Sequence, residues 1–300
     1  MKHMRLRQVT CVACAVALAC SLTACGSGNE DTVESVEGLD ELGEVTVVAR
    51  EEGSGTRSVF SGDVGLIETD ESGEEVDVTT DSATICNDAE AVIEAVSSDE
   101  AAIGYVSLGA LDDSSGVKVI AVDGVEPSTD TVKDNSYPLS RDFYIAYVGE
   151  TTAVEADFLD YILSEGQDIV GESYVPVNST TRFLSDESSG TISISGSTSV
   201  APLMEDLADA YEELNPNATI SIVSTDSTTG LNAAMTQGND WGMSSRDLEE
   251  YEQEILTYES IAQDAVAVIV NEDNPAESLT TEQLRQLFAG EAVEWADVNG

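Results

Sequence analysis

Three observations predict an α/β fold of two lobes. Short β-branched runs alternate with helical patterns along the chain. About 256 residues follow an N-terminal leader and tether, enough for two lobes. Three turns rich in Ser, Thr and Gly each lead from a strand-like run into a helical pattern. Strands are expected at 45–48, 103–106, 117–122, 143–148, 192–194, 219–223 and 265–270, where Val, Ile and Thr cluster. Helices are expected at 89–96, 154–163, 200–214, 231–237 and 281–288, where apolar residues recur at helical spacing. The polar stretch 178–190 has no apolar period and reads as a linker or a long surface loop.

Residues 1–25 read as a secretion signal, with a basic start followed by a nearly all apolar or small run over 9–22. The run is shorter than the roughly 20 residues of a spanning helix. It ends in Leu22-Thr23-Ala24-Cys25, which resembles the lipobox of bacterial lipoproteins. Cleavage before Cys25 leaves that residue as the lipidated N-terminus, so the protein is expected outside the cytoplasmic membrane, anchored by lipid on Cys25. Residues 26–44, rich in Gly, Ser, Asp and Glu, then read as a flexible tether. Of the five cysteines only Cys86 remains, without an intrachain partner, and it reads as a small buried hydrophobe.

Loss of Lys2, Arg5 and Arg7 from the 11 basic residues leaves 8 against 59 acidic, a net charge near −51. Nucleic acid is excluded as a partner. The one histidine, His3, leaves with the signal, which removes histidine acid/base chemistry and the commonest metal ligand. Against this acidity, Arg50, Arg57 and Arg246 lie in or beside the Ser/Thr-rich turns. No metal site, cofactor or catalytic residue is expected, and the chain is expected to be monomeric.

The turns carry the chemistry. In Gly196-Ser197-Thr198-Ser199 the glycine lets backbone approach a ligand, while hydroxyls and free N–H groups at the start of the next helix donate to it. Asp226-Ser227-Thr228-Thr229-Gly230 and Gly53-Ser54-Gly55-Thr56, the latter beside Arg50, repeat the arrangement. One such turn is ordinary helix capping. Three of them, with arginine alongside, point to an oxyanion. No Gly-x4-Gly-Lys-Ser/Thr is present, so a nucleotide P-loop is not supported.

Residues 191–300 resemble the N-terminal half of the phosphate-binding proteins of high-affinity ABC phosphate importers (PstS-like). The matching elements are Gly196 to Ser199 with Val200-Ala201-Pro202-Leu203, Ser227-Thr228-Thr229-Gly230, Gly242-Met243-Ser244-Ser245-Arg246 and the Asn271-Glu272-Asp273-Asn274-Pro275 turn. Residues 44–177 resemble the C-terminal half, through Arg50 to Arg57, Ala102-Ile103-Gly104-Tyr105-Val106 and Tyr137-Pro138-Leu139-Ser140-Arg141. The resemblance implies a two-lobed type II periplasmic-binding-protein-like fold with a ligand cleft between lobes. It places the phosphate ligands on Arg50, Ser54, Gly55, Thr56, Thr198, Ser199 and Ser227. Ser245 stands where some members carry an aspartate that accepts a ligand proton.

The halves stand in the opposite of the family's usual order, so the chain reads as circularly permuted; a truncated tandem gene is the competing account. With crossings placed at 137–141 and 270–275, one lobe is expected over 138–274, including the 178–190 linker. The other is expected over 45–137 and 275–300. The function implied is capture of inorganic phosphate for an ABC permease in the membrane. The alternatives are a binder of another, sulfate-like oxyanion and a surface phosphate sensor or adhesin without a transport role. A hydrolase using Ser54 or Thr198 as nucleophile lacks a histidine base. The acidic surface generates a prediction: anion association measured by stopped flow should quicken or stay flat as salt rises from about 0.01 to 0.15 M, because screening weakens the distant repulsive field first.

Overall fold

The computed structural model of the chain describes residues 35–112 and 115–300. The signal at 1–25 with its Cys25, and residues 26–34 of the expected tether, lie outside the described residues. Among the described residues, no helix is long and apolar enough to cross a membrane.

One mixed sheet runs through both lobes. Its main strands are β1 (Thr46–Arg50), β2 (Thr84–Cys86), β3 (Ala102–Ser107), β4 (Ser140–Tyr147), β5 (Gly190–Ser197), β6 (Ala218–Thr225), β7 (Trp241–Ser244) and β8 (Thr257–Asn271). They lie in the order β6-β5-β7-β4-β8-β3-β1-β2. β1 pairs in parallel with β2 and β3, and β5 with β6 and β7, whereas β8 is antiparallel to both β3 and β4. The helices that matter here are α1 (Gly55–Asp63), α2 (Ala89–Ser97), α3 (Ala153–Ile162), α4 (Gln167–Ser173), α5 (Ala201–Leu214), α6 (Ser227–Met235) and α7 (Thr281–Phe288). Their starts follow local chemistry. Thr152 with Glu155 forms a capping box at α3, and Thr280 with Gln283 does so at α7.

Two apolar cores define the lobes. The first gathers Val47, Phe60, Tyr105, Val268, Leu287 and Trp295. The second gathers Phe143, Phe158, Ile194, Leu207, Trp241 and Ile261. Leu139 belongs to the first core and Phe143 to the second, so the chain changes lobe between them. It returns on β8, between Ala262 in the second core and Ala265 in the first.

This return lies earlier than the expected crossing at 270–275, and it moves the lobe boundary away from 274. β8 is 15 residues long and switches partner within its length, pairing with β4 as far as Ala265 opposite Ser140 and with β3 from Val266 opposite Ser107. The turn after Asn271 merely ends the strand. Only the 265–270 portion was legible, because its residues are buried on both faces, whereas Thr257 and Tyr258 are exposed.

Two further expectations are corrected. Residues 35–44 do not form a tether: Leu39 is buried in the first core, Val36 N–H donates to Asn299 Oδ1 at 2.6 Å, and Trp295 N–H donates to the Gly43 carbonyl at 2.9 Å. The start and end of the described chain therefore meet on one lobe, with Val45 N–H on the Val293 carbonyl at 2.9 Å. Residues 178–189, in turn, form a docked strap without regular secondary structure. Buried Asp157 of α3 accepts bonds from Ser185 Oγ at 2.6 Å, Asp186 N–H at 2.9 Å and Tyr211 Oη at 2.8 Å. The Phe183 ring packs against Tyr161 and Tyr211. Asp157→Ala should lower the unfolding free energy by about 3 kcal/mol, because it strands several buried donors at once; urea denaturation checks this.

Candidate anion-binding cleft

The three Ser/Thr-rich turns meet where the lobes face each other. From the first lobe come Arg50, at the end of β1, and Ser54, Gly55 and Thr56, at the start of α1. From the second come Thr198 and Ser199 ahead of α5, Ser227 at the start of α6, and Ser245 just past β7. All the residues expected at the site converge here, and Arg50, Ser54, Thr56, Ser199, Ser227 and Ser245 are buried.

Contacts across the cleft are direct. Arg50 Nη2 donates to Thr198 Oγ1 at 2.8 Å, and the Thr56 and Ser199 hydroxyls lie 2.9 Å apart. Thr228 N–H donates to the Gly53 carbonyl at 3.3 Å. Gly53, at φ 89°, takes the left-handed turn that aims this carbonyl across. At Gly55 the approach is closer still: a Cβ there would lie 2.5 Å from both Ser227 Oγ and Ser245 Oγ. Only a glycine lets these walls touch.

Charge is concentrated on two guanidinium groups. Arg50 is 1% exposed; its Nε and Nη2 bind the Glu51 carboxylate at 2.8 and 2.9 Å, and Nη2 also reaches the Asn87 carbonyl at 3.1 Å. Its Nη1 is buried without a partner among the described residues. An unpaired buried charged donor costs on the order of 1–3 kcal/mol or more, and an anion accepting from it removes that cost. The second cation is Arg141, at the start of β4. Its Nε and Nη2 bind Asp264 Oδ2 of β8 at 3.0 and 2.8 Å, and Nη1 donates to Thr56 Oγ1 at 2.8 Å and to the Ser245 carbonyl at 3.4 Å. Ser107 Oγ adds a third bond to Asp264 Oδ2 at 2.8 Å. Burial pulls the Arg141 pKa below its ordinary value, against the raising effect of Asp264.

Arg141 was not among the residues the turns singled out, because it sits on a strand rather than in a turn. Its signal was scarcity, as one of few cations in a very acidic chain. Conversely, Arg57 and Arg246 turn away from the cleft. Arg57 pairs with Asp77 at 2.8 Å and donates to the Arg50 carbonyl at 2.9 Å. Arg246 makes a paired contact with Glu252 at 2.8 and 2.9 Å. Burial opposes both of those charges, yet their hydrogen bonding holds Arg246 above and Glu252 below its ordinary pKa.

A cavity of about 1060 Å³ opens beside the cradle, lined from both lobes and carrying Glu51, Asp88, Glu90, Asp112, Glu205 and Asp226. An anion reaching the cradle by this path passes an acidic mouth. Cys86 is buried and free on β2. Among the described residues, no group of three or more His, Cys, Asp or Glu is placed to hold a metal ion.

A family model described as a PBP superfamily domain matches residues 22–166 and 183–300. The chain is 39% identical over 277 residues to the phosphate-binding protein PstS 2 of Streptococcus pneumoniae, covering 91% of this chain and 92% of that one. It is 38% identical over 261 residues to PstS 2 of Streptococcus agalactiae, covering 86% and 88%. The crystal structure of a phosphate ABC transporter phosphate-binding protein from Streptococcus pneumoniae superposes with a TM-score of 0.72 at 40% identity, over 85% of this chain and all of that one. By contrast, the match to PstS of Staphylococcus haemolyticus covers only 35% of either chain. Continuous matches over most of both chains mean that the two streptococcal PstS 2 proteins carry their halves in the order found here. The chain belongs to the PstS-type proteins of the PBP superfamily.

Proposed function

We propose that this protein captures inorganic phosphate by closing its two lobes around the anion, and delivers it to an ABC permease from an extracytoplasmic position, held at the cell membrane by lipid on Cys25. The observation that carries the reading is the buried Nη1 of Arg50, without a partner among the described residues, on a guanidinium whose Nη2 meets Thr198 across the cleft. The kinship with PstS proteins supports phosphate as the anion. In this reading Arg50, Ser54, Gly55, Thr56, Thr198, Ser199, Ser227 and Ser245 surround the ligand, and Arg141 holds Thr56 in place.

Closure is driven by the contacts the anion makes only when both lobes reach it. About five charge-assisted hydrogen bonds at roughly 1.5–3 kcal/mol each exceed an association cost of at least about 4 kcal/mol, so binding near micromolar or tighter is within reach. We read the cradle as a binding site, because the PstS relatives are named as phosphate-binding proteins.

Calorimetric titration with phosphate, sulfate, arsenate and molybdate tests the reading, and binding of none of them overturns it. Thr56→Val should weaken phosphate binding about tenfold and Arg50→Met about a hundredfold, as expected for losing one neutral and one charged donor; unchanged affinity removes the residue from the site. Gly55→Ala should keep the lobes apart. Small-angle scattering should then give a larger radius of gyration than the wild type, one that added phosphate does not reduce.

A further inference from the structure

The turn that opens α1 carries Arg50, Ser54, Gly55 and Thr56, so its placement sets theirs. Within the turn, Glu51 grips Arg50 Nε and Nη2 at 2.8 and 2.9 Å. That grip is internal. The two residues are neighbours in the chain, and a carboxylate that travels with the arginine's own backbone orients the guanidinium without locating it. Location needs anchors on the Arg50 backbone. Its N–H donates to Tyr105 Oη at 3.2 Å, and the Tyr105 ring is stacked on Phe60 with centroids 4.0 Å apart. Its carbonyl accepts from Arg57 Nη1 at 2.9 Å.

Arg57 lies in the first turn of α1, so its bond to the Arg50 carbonyl ties the two ends of the anion turn together. Its Nε donates to Asp77 Oδ2 at 2.8 Å, on the short hairpin of Ile67–Thr69 and Glu75–Asp77. Asp77 is itself held from several sides. Oδ2 also accepts from Ser61 Oγ at 2.9 Å, and Oδ1 accepts from Thr79 N–H at 2.8 Å and Thr79 Oγ1 at 2.6 Å. Burial works against both charges, yet their mutual hydrogen bond holds Arg57 above and Asp77 below its ordinary pKa. Fastening the hairpin to α1 requires only the bonds from Ser61 Oγ and Arg57 Nε. The fork of a guanidinium can serve two acceptors at a fixed separation, and Arg57 spends its second donor on the strand end that carries Arg50.

We infer that Arg57 and Asp77 are a positioning pair for the anion site, which sets where Arg50 presents its Nη1 without itself touching the ligand. The inference rests on the oxyanion reading of the cleft and deepens it. A binding group is effective only when held within about 0.5 Å of its productive place. Arg50 Nη2 spans the lobes to Thr198 Oγ1 at 2.8 Å and reaches the Asn87 carbonyl at 3.1 Å. A displaced Arg50 backbone therefore loosens that reach and misplaces Nη1 together.

Calorimetric titration of the purified protein with inorganic phosphate tests this through a double-mutant cycle. Arg57→Met should weaken binding about tenfold and Arg50→Met about a hundredfold. Because Arg57 acts through Arg50, the double variant should be within about threefold of Arg50→Met alone, where independent effects would multiply to about a thousandfold. Asp77→Asn, which keeps the shape and removes the charge, should weaken binding about threefold. Ser61→Ala takes a bond from the same carboxylate but none from Arg57, and should stay within about twofold of the wild type. Wild-type affinity in Arg57→Met or Asp77→Asn, or a thousandfold loss in the double variant, overturns the inference. So does a loss in Ser61→Ala equal to that in Asp77→Asn, which would assign the effect to docking of the hairpin. Where circular dichroism shows the double variant unfolded, the comparison of Asp77→Asn with Ser61→Ala decides. Failure of the wild type to bind phosphate overturns the oxyanion reading itself.

Discussion

The ion pair between Arg141 and Asp264 is the interaction on which the rest of the molecule depends. The two residues face each other across β4 and β8, the strands that carry the chain from one lobe to the other. Both are buried, and each uses its remaining capacity to bind a different part of the structure: Arg141 reaches Thr56 and the Ser245 carbonyl, and Asp264 holds Ser107. Removing either partner would strand a buried charge at a cost of about 3–5 kcal/mol. The pair therefore fixes the floor of the cleft, the orientation of a hydroxyl in its wall and the packing of the lobe junction together.

Parts of this arrangement were legible in the sequence because their chemistry is local. A Ser/Thr-rich turn between a strand and a helix announces itself within a few residues, and the turns that hold Arg50, Thr56, Thr198, Ser199 and Ser227 were legible that way, whereas the choice of these residues within them rested on the family resemblance. Arg141 and Asp264 could not be found that way, since they are 123 residues apart, neither lies in a Ser/Thr-rich turn, and each falls just outside the runs read as strands at 143–148 and 265–270. Arg57 and Arg246 misled for the opposite reason. Proximity to a turn says nothing about direction: one residue beyond Thr56 the helix has rotated Arg57 onto Asp77, and Arg246 is drawn to Glu252 only six residues away. The short hairpin of Ile67–Thr69 and Glu75–Asp77 went unread because its exposed, charged residues lack an apolar pattern.

The order of the halves has a simple physical basis. Residues 35–44 and 293–299 seal one another at one edge of the first lobe. The strap over 178–189 lies on the second lobe, tied down by Asp157. Neither segment crosses the cleft, so a chain can begin and end in either place without disturbing the anion-binding turns. The dense negative charge is likewise kept from the cradle itself, where the neighbouring carboxylates are neutralised by arginines or spent on helix ends.

β8 has a mechanical consequence as well. A continuous strand shared by two lobes, hydrogen-bonded to β4 on one stretch and β3 on the next, resists sliding because any slip would break the ladder on both sides. It tolerates bending. Its register shifts between Ser260 and Ala262, just before the crossing, and irregularities of this kind bend a strand locally. In the closure we propose, a bend at this point would swing one lobe toward the other about the shared strand. The contacts across the cleft, Thr56 with Ser199 and Arg50 with Thr198, lie where such a swing would bring the walls together. The strand between the lobes would then set where the two walls of the cleft meet.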